Sequence, residues 1–258
     1  MTIGVFDSGF GGLTVLKKIR ETLPDYDILY LGDNARAPYG DRSDEAIYEF
    51  TRQGVEFLFS RDCFLVILAC TTASAIALRR LQQELLEAKY PDRRILGIII
   101  PVVEKIVELE RSGSIGVIGT RATVASNAYG KEIQKRFSID IPLIQQACPL
   151  LVPLIEEGWQ NTTPARMILR TYLREFKKKR VSYLILGCTH YPLIKKSIQQ
   201  MMGPRTRVLE PGGIVAKSLQ TYLTRHVEID TTLSKGGALT CLTTDSVERI
   251  KPYIERLW

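Results

Sequence analysis

The sequence lacks the long apolar run that a membrane-spanning helix requires. Its 258 residues are 45% hydrophobic and 24% charged, but no uninterrupted apolar stretch approaches the about 18 to 20 residues that cross a bilayer. Met1 is followed directly by the strand-like residues 3–6, without a basic and apolar leader. We therefore expect a soluble, cytoplasmic globular protein with no membrane partner.

Cysteine and histidine are scarce. The chain has five cysteines and two histidines, with no Cys-x-x-Cys pair and no cluster of histidines. An odd number of dispersed cysteines does not build a disulfide framework, and structural zinc sites need clustered ligands. We expect reduced thiols and no metal ion.

Phosphate-binding motifs are also missing. The glycine-rich turn at 7–12 has Thr14 where a dinucleotide-binding motif needs a third glycine, and no Gly-x-x-x-x-Gly-Lys-Ser/Thr segment occurs. The formal net charge is +7, yet the only dense basic run, 177–180, is typical of a solvated helix end. The sequence therefore favours neither a nucleotide cofactor nor a nucleic acid as the main ligand.

Short apolar runs alternate with longer amphipathic stretches along the whole chain. This is the pattern of βα units around a parallel sheet. The apolar runs predict strands at 3–7, 27–32, 64–69, 95–99, 115–119, 142–146, 182–187 and 207–209. The amphipathic stretches predict helices that include 13–23, 43–60, 73–89, 123–136 and 164–178. From residue 213 onward we expect helix in two pieces, with a break at 234–237.

The two halves of the chain resemble each other, because each contains a buried strand that ends in Cys-Thr, at Cys70 and at Cys188. We therefore predict an α/β protein with two similar α/β domains, mostly parallel sheets and an active site in the cleft between them. The first domain is expected at 1–94 plus 208–258, with returning C-terminal helices. The second is expected at 95–207.

Both cysteines are expected at the carboxyl ends of strands, where open α/β sheets bind their ligands. A thiol acts as a base only as its thiolate, which helix N-termini and cationic neighbours favour. His190 lies two residues beyond Cys188 and could exchange a proton with it, and Asp7 could do the same for Cys70. The small residues 71–74 could cap a helix and offer N–H donors to a carboxylate.

Other interpretations of the cysteines stay open on the residues alone. Free cysteines are often simply packed in a core, which is the interpretation we favour for Cys148. The short spacing of Cys188 and His190 also fits a cysteine hydrolase, but that chemistry gives Cys70 no role. Acid/base chemistry between two opposed thiols gives both cysteines a role.

Four segments that carry these residues resemble one known family. Phe-Asp-Ser-Gly-Phe-Gly-Gly at 6–12, Pro-Tyr-Gly at 38–40, Ala-Cys-Thr-Thr-Ala-Ser at 69–74 and Gly-Cys-Thr-His-Tyr-Pro at 187–192 resemble, in this order, the glutamate racemases of the cofactor-independent aspartate/glutamate racemase family. The resemblance runs through most of the chain and is weakest near the C-terminus. It implies interconversion of L- and D-glutamate without a cofactor, which would supply D-glutamate for peptidoglycan synthesis.

The resemblance also implies roles for individual residues. One cysteine of the family removes the α-proton and the other donates a proton to the opposite face, so by position Cys70 would act on D-glutamate and Cys188 on L-glutamate. Asp7, His190 and Glu156 would assist the two thiols. The residues that would hold the substrate are Asp7, Ser8, Pro38, Tyr39, Gly40, Thr71, Thr72, Thr120, Thr123, Thr189 and His190. Dimers are frequent in the family, which leaves a homodimer open for this chain.

Two further alternatives stay open beside this resemblance. The same fold serves aspartate racemases, and the chain has Thr71 where the family usually has Asn, which removes an amide donor. The basic net charge together with Thr71 would also fit a weakly catalytic protein that binds or regulates a macromolecule. Assays of glutamate and aspartate side by side distinguish these alternatives.

Overall fold

The computed structural model describes residues 1–109, 113–137 and 141–257. The strands in these residues are β1 (Thr2–Asp7), β2 (Ile28–Gly32), β3 (Cys63–Leu68), β4 (Arg94–Gly97), β5 (Ile115–Gly119), β6 (Leu143–Ala147), β7 (Tyr183–Gly187), β8 (Arg207–Leu209) and β9 (Leu239–Thr243). Across the same ranges, no helix is both long enough and apolar enough to cross a membrane.

Helices connect these strands. They are α1 (Leu13–Thr22), α2 (Asp44–Ser60), α3 (Thr71–Ile76), α4 (Leu78–Arg80), α5 (Glu87–Lys89), α6 (Ile99–Leu109), α7 (Arg121–Ala125), α8 (Ala128–Arg136), α9 (Leu151–Glu156), α10 (Thr163–Lys178), α11 (Lys195–Met202), α12 (Pro211–Arg225), α13 (Val227–Asp230) and α14 (Val247–Leu257). A π-helical segment, Leu81–Leu86, joins α4 to α5. Short 3₁₀ turns lie at Asn34–Arg36, Tyr39–Asp41 and Tyr191–Ile194.

The strands form two parallel sheets. The first has the order β4-β3-β1-β2-β9 and the second the order β6-β5-β7-β8, and the pairs within both sheets run parallel. Helical crossovers cover the faces of such sheets, so their inner strands are buried on both sides and read as continuous apolar runs. The predicted α/β class with parallel sheets is confirmed.

The apolar side chains of each sheet divide between two cores, one on each face. In β3, Ile67 packs with α1 and α12 on one face, whereas Val66 and Leu68 pack with α2 and α3 on the other. In β7, Leu184 and Leu186 similarly face α10 and α11, opposite to Ile185. The two-residue period of strand side chains therefore builds a three-layer unit around each sheet.

The C-terminal segment differs from its prediction. The break expected at 234–237 does not separate two helices but leads into β9, which pairs with β2 through Leu31 and Leu242. The expectation of only helix beyond residue 213 is therefore wrong. Similarly, the strand expected to reach residue 99 ends at Gly97 because α6 begins at Ile99. A left-handed Asn127 (φ 52°) divides the helix expected at 123–136 into α7 and α8.

The expected domain boundaries fall inside two strands. The boundary at 94/95 lies in β4, which belongs to the first sheet, and the boundary at 207/208 lies in β8, which belongs to the second. We propose that the chain divides after Gly97 and after Leu209, so that each sheet is contained in one domain.

Candidate active site

The carboxyl ends of strands from both sheets enclose one small cavity of about 30 Å³. Cys70 follows β3 and Cys188 follows β7, and each side chain is buried. The residues that line the cavity are Ser8, Gly9, Ala37, Pro38, Tyr39, Gly40, Cys70, Thr71, Thr72, Thr120, Val152, Glu156, Cys188, Thr189 and His190. The cavity lies between the two halves of the molecule, as the fold prediction expects.

Cys70 is held in a protonated state. It is the N-cap of α3, where its Sγ accepts a hydrogen bond from the Ala73 N–H at 3.4 Å, and Ser8 Oγ lies 3.2 Å from the same sulfur. Burial, together with the nearby charge of Asp7, raises the pKa of the thiol to about 12, although the hydrogen bonds with Ser8 and Ala73 oppose the shift. At neutral pH this thiol therefore carries its proton.

Asp7 connects the two halves from behind the cavity. Its Oδ2 accepts a hydrogen bond from the Gly9 N–H at 2.9 Å, and its Oδ1 accepts one from Thr189 Oγ1 at 3.4 Å. Burial raises the pKa of this carboxyl to about 6, against the opposing charge of His190. Sequence reasoning pairs Asp7 directly with Cys70, but the side chain that shares a hydrogen bond with the Cys70 sulfur is Ser8.

Cys188 has a cationic neighbour. His190 Nδ1 lies 3.8 Å from Cys188 Sγ, and His190 Nε2 lies 2.9 Å from Glu156 Oε1. Burial alone would lower the pKa of His190, but the hydrogen bonds to Cys188 and Glu156 outweigh it and raise the pKa to about 10. The imidazolium beside the sulfur is the kind of neighbour that stabilises a thiolate.

Threonine hydroxyls join the halves across the cavity. Thr72 Oγ1 lies 2.9 Å from Thr120 Oγ1 and 3.3 Å from Thr123 Oγ1. Thr123 lies behind Thr120, away from the cavity wall, and its N–H donates to Thr120 Oγ1 at 3.2 Å. Thr71 also lines the cavity, but its buried Oγ1 has no hydrogen-bond partner among the described residues. A buried hydroxyl without a partner is costly, so its position indicates a polar ligand group.

The segment 38–40 closes one side of the cavity. The Tyr39 hydroxyl donates a hydrogen bond to Asp33, which also forms an ion pair with Arg36 at 2.6 Å. A side chain at Gly40 would collide with Thr120, so glycine allows the first half to approach the second closely.

The glycine-rich turn after β1 also allows the two halves to approach each other closely. A Cβ at Gly11 would collide with Thr189 and His190, and a Cβ at Gly12 would collide with Asp7. Sequence reasoning explains this turn by the approach of backbone to a small ligand. In the structure, the backbone at Gly11 approaches the Cys-Thr-His segment of the other half.

Three residues of the cavity wall are not among the predicted ones: Gly9, Ala37 and Val152. Gly9 and Ala37 are sequence neighbours of predicted residues, so the motifs 6–12 and 38–40 could have indicated them. Nothing in the sequence distinguishes Val152 from other apolar residues. All five cysteines are free, and the described part of the chain holds no cluster of three His, Cys, Asp or Glu side chains suited to a metal ion.

Comparisons with known proteins identify the family of the chain. The family model described as Asp/Glu/Hydantoin racemase matches residues 3–219. The glutamate racemase of Geobacter metallireducens is 44% identical over 221 residues, which cover 86% of this chain and 79% of the relative. Among solved structures, the glutamate racemase isoform RacE1 of Bacillus anthracis superimposes with a TM-score of 0.89 at 34% identity, covering 99% of this chain and 92% of that one.

A second solved structure was determined with a ligand. The glutamate racemase of Francisella tularensis, in complex with D-glutamate, superimposes with a TM-score of 0.87 at 35% identity, again covering 99% and 92% of the two chains. The family model spans most of the present chain and includes Cys70, Cys188 and every other residue of the cavity wall. The chain therefore belongs to the Asp/Glu/hydantoin racemase family.

Proposed function

We propose that this protein interconverts L- and D-glutamate by moving a proton on and off the α-carbon, with Cys70 and Cys188 as the two acid/base residues and without a cofactor. The observation that carries the proposal is the meeting of two thiols, one from each half of the molecule, at one cavity. Inversion requires a base on one face of the α-carbon and an acid on the other. The names and the D-glutamate ligand of the relatives support glutamate as the substrate.

In the L-to-D direction, the Cys188 thiolate removes the α-proton and the electron pair stays on the α-carbon as a carbanion. The protonated Cys70 then donates its proton to the opposite face, which leaves a Cys70 thiolate and a Cys188 thiol. The D-to-L direction reverses these steps. The difference between the two thiols supports this assignment, because the His190 imidazolium lies beside Cys188 whereas burial raises the pKa of Cys70.

Asp7 and His190 complete the proton path. The pKa of Asp7 near 6 suits a group that exchanges a proton with its surroundings at neutral pH. After each turnover the two thiols must regain their starting states. Asp7 on the Cys70 side and His190 with Glu156 on the Cys188 side are the groups that we assign to this exchange.

Polar groups of the cavity wall would hold the substrate. Hydroxyls of Ser8, Thr71, Thr72, Thr120 and Thr189 face or border the cavity and can donate to carboxylates and to the developing carbanion. The wall opposite these hydroxyl groups would be formed by Pro38, Tyr39 and Gly40. Asp7 and Thr123 would hold neighbouring side chains in position. The cavity has room for one or two water molecules only, so we infer that the halves separate when glutamate enters.

The decisive experiment measures exchange of the α-hydrogen of glutamate in deuterated water with no added cofactor. We expect exchange and racemisation by the unmodified protein, and loss of racemisation in Cys70→Ala and in Cys188→Ala. Cys241→Ala is the matched control, since Cys241 lies in β9 away from the cavity. Full racemisation by either of the first two variants would overturn the two-thiol mechanism.

The same assay on aspartate tests the alternative substrate, and faster turnover of aspartate than of glutamate would replace glutamate in the proposal. We further propose that the product D-glutamate supplies peptidoglycan synthesis in the cytoplasm. A bacterial strain that depends on added D-glutamate should then grow without it when this chain is expressed, and should still require it when the Cys188→Ala variant is expressed.

A further inference from the structure

Tyr253, in the C-terminal helix α14, contacts both halves of the molecule beside the cavity. Its hydroxyl donates a hydrogen bond to the backbone carbonyl of Glu156 at 2.9 Å. Its ring stacks on Phe10, with ring centroids 4.1 Å apart and planes 7° from parallel. We propose that Tyr253 is a positioning residue that holds Glu156 against His190, an inference that rests on the proposed function.

The carbonyl of Glu156 needs such a partner. Glu156 is the last residue of α9, a helix of six residues, and the last carbonyl groups of a helix have no partner within it. A helix this short gains little stability from its own hydrogen bonds. The Tyr253 hydroxyl binds one of these terminal carbonyls and so fixes the end of α9, from which the Glu156 side chain reaches His190.

The ring of Tyr253 is anchored in the other half. Phe10 belongs to the glycine-rich turn that also carries Asp7 and Ser8. Ile250 is buried in the core of the first sheet, and α14 packs against α1 there. Because α14 is fixed to the first half, the hydrogen bond from Tyr253 ties the position of Glu156 in the second half to the turn that serves Cys70.

Tyr253 lies beyond the part of the chain that the family model matches, which ends at residue 219, whereas Glu156 and Phe10 lie within it. Nothing in the spacing of the predicted active-site motifs points to α14. The active-site motifs therefore do not predict the contact between Tyr253 and Glu156.

The effect of the hydrogen bond between Tyr253 and Glu156 can be measured as a change in the pKa of His190. In the described ranges, the charged or titratable side chains that act on His190 are Cys188 beside Nδ1, Glu156 beside Nε2, and Asp7 at the end of β1. Of these, Glu156 is the one whose backbone Tyr253 holds. Release of the α9 end would move the carboxylate away from the imidazole, and the pKa of His190 would fall.

The experiment compares the full-length protein with Tyr253→Phe, which keeps the ring and removes the hydroxyl. The chain has two histidines, so NMR titration can follow His190 directly, with His226→Gln to assign its signal. We expect a lower pKa of His190 in Tyr253→Phe, a matching acid shift of the basic limb of the kcat profile, and a loss of kcat of about fivefold at neutral pH. KM should change much less than kcat.

Ile250→Val is the matched control, because it loosens the packing of α14 without touching Glu156. It should lower the melting temperature and leave the pKa of His190 and the pH profile unchanged. In a Glu156→Gln background, Tyr253→Phe should have no further effect on His190, since the two residues act through one contact.

Two results would overturn the proposal: an unchanged pKa of His190 in Tyr253→Phe, or an equal shift in Ile250→Val. The NMR titration does not depend on turnover. If the unmodified protein fails to racemise glutamate, the proposed function is overturned. If it racemises glutamate but the pKa of His190 is unchanged in Tyr253→Phe, only the positioning role of Tyr253 is overturned.

Discussion

At the scale of single residues, the two thiols have unequal environments. Cys70 is kept neutral by burial and by the nearby Asp7, while Cys188 lies beside an imidazolium. The same neighbours make the site costly for the fold, because Asp7 is fully buried and burial disfavours its charged form. Function and stability therefore oppose each other at Asp7, and variants can separate them.

Asp7→Asn should remove this cost. The pKa of Asp7 is about 6 in the folded protein against an ordinary value of 3.8, so the native state binds the proton more tightly than the unfolded chain. Stability from this group is fully present below pH 3.8 and is lost as the pH rises through about 6. The free energy of unfolding of Asp7→Asn minus that of the unmodified protein should therefore be about 2 kcal/mol larger at pH 8 than at pH 4.

Urea unfolding of both proteins at a series of pH values measures this difference. Any effect of the substitution that does not depend on pH cancels when the differences at two pH values are compared. Racemisation should be strongly reduced in the same variant. A difference in unfolding free energy that stays constant with pH would contradict the raised pKa of Asp7.

Thr71 and Thr72 are neighbours with opposite expected behaviour. The Thr71 hydroxyl is buried and has no partner within the described part of the chain, whereas the Thr72 hydroxyl is hydrogen-bonded to Thr120. Thr71→Val should therefore stabilise the free protein by about 1 kcal/mol and raise KM for glutamate, and Thr72→Val should destabilise it by about 1 kcal/mol. Thermal unfolding without substrate and steady-state kinetics test both effects. Destabilisation by Thr71→Val would show that its hydroxyl has a partner in the free protein.

The sequence predicts most of the cavity wall but not the contacts within it. Motif residues such as Cys70 and Thr120 can be named because their side chains carry chemistry and end predicted strands or begin helices. The hydrogen bond between Ser8 and Cys70 and the one from Tyr253 to Glu156 depend on how separate segments of the chain pack. Residue type and spacing in the sequence do not predict such packing. Val152 lies in the wall as an ordinary apolar side chain.

At the scale of helices and strands, the apolar runs in the sequence predict eight strands, β1 to β8, because a short continuous apolar run is typical of a buried parallel strand. β9 is the exception. It lies at the edge of the first sheet and its residues are only partly covered, so the run Leu-Thr-Cys-Leu-Thr is short and half polar. Its place in the sheet is set by pairing with β2, a contact between residues more than 200 positions apart.

Two glycines near helix N-termini should respond oppositely to alanine. Gly213, in the first turn of α12, has open space where a Cβ would be added, so Gly213→Ala should stabilise the protein by about 0.5 to 1 kcal/mol without changing activity. In Gly11→Ala, the new methyl group would collide with Thr189 and His190. We expect lower stability and loss of most racemisation there. Chemical unfolding and the racemisation assay test both variants, and an active, stable Gly11→Ala would contradict the close approach at this turn.

At the scale of the whole molecule, several hydrogen bonds join the two halves around the cavity. Thr72 bonds to Thr120, Thr189 bonds to Asp7, and the Thr14 hydroxyl donates to the carbonyl of Thr189 at 2.9 Å. Bonds of this kind contribute about 1 kcal/mol each, and water can replace them when the halves separate.

Glutamate should therefore change the shape of the protein in solution. Because the cavity of about 30 Å³ holds only one or two water molecules, we expect the halves of the free protein to separate before glutamate enters, and a bound substrate to hold them together. We expect the radius of gyration from small-angle X-ray scattering to fall when saturating glutamate is added. Lysine at the same concentration is the control. Identical scattering with and without glutamate would contradict opening of the free protein.

The position of β9 has a consequence for synthesis on the ribosome. The sheet of the first half needs β9 from the end of the chain, and its core includes residues of α12 and α14 as well. While the nascent chain is being made, β2 has an unpaired edge and the first half lacks part of its core, whereas every strand of the second sheet is already synthesised once β8 has emerged. The half that begins the chain is therefore the last to be completed, and the exposed edge of β2 is where an unfinished chain would pair with a neighbour and aggregate.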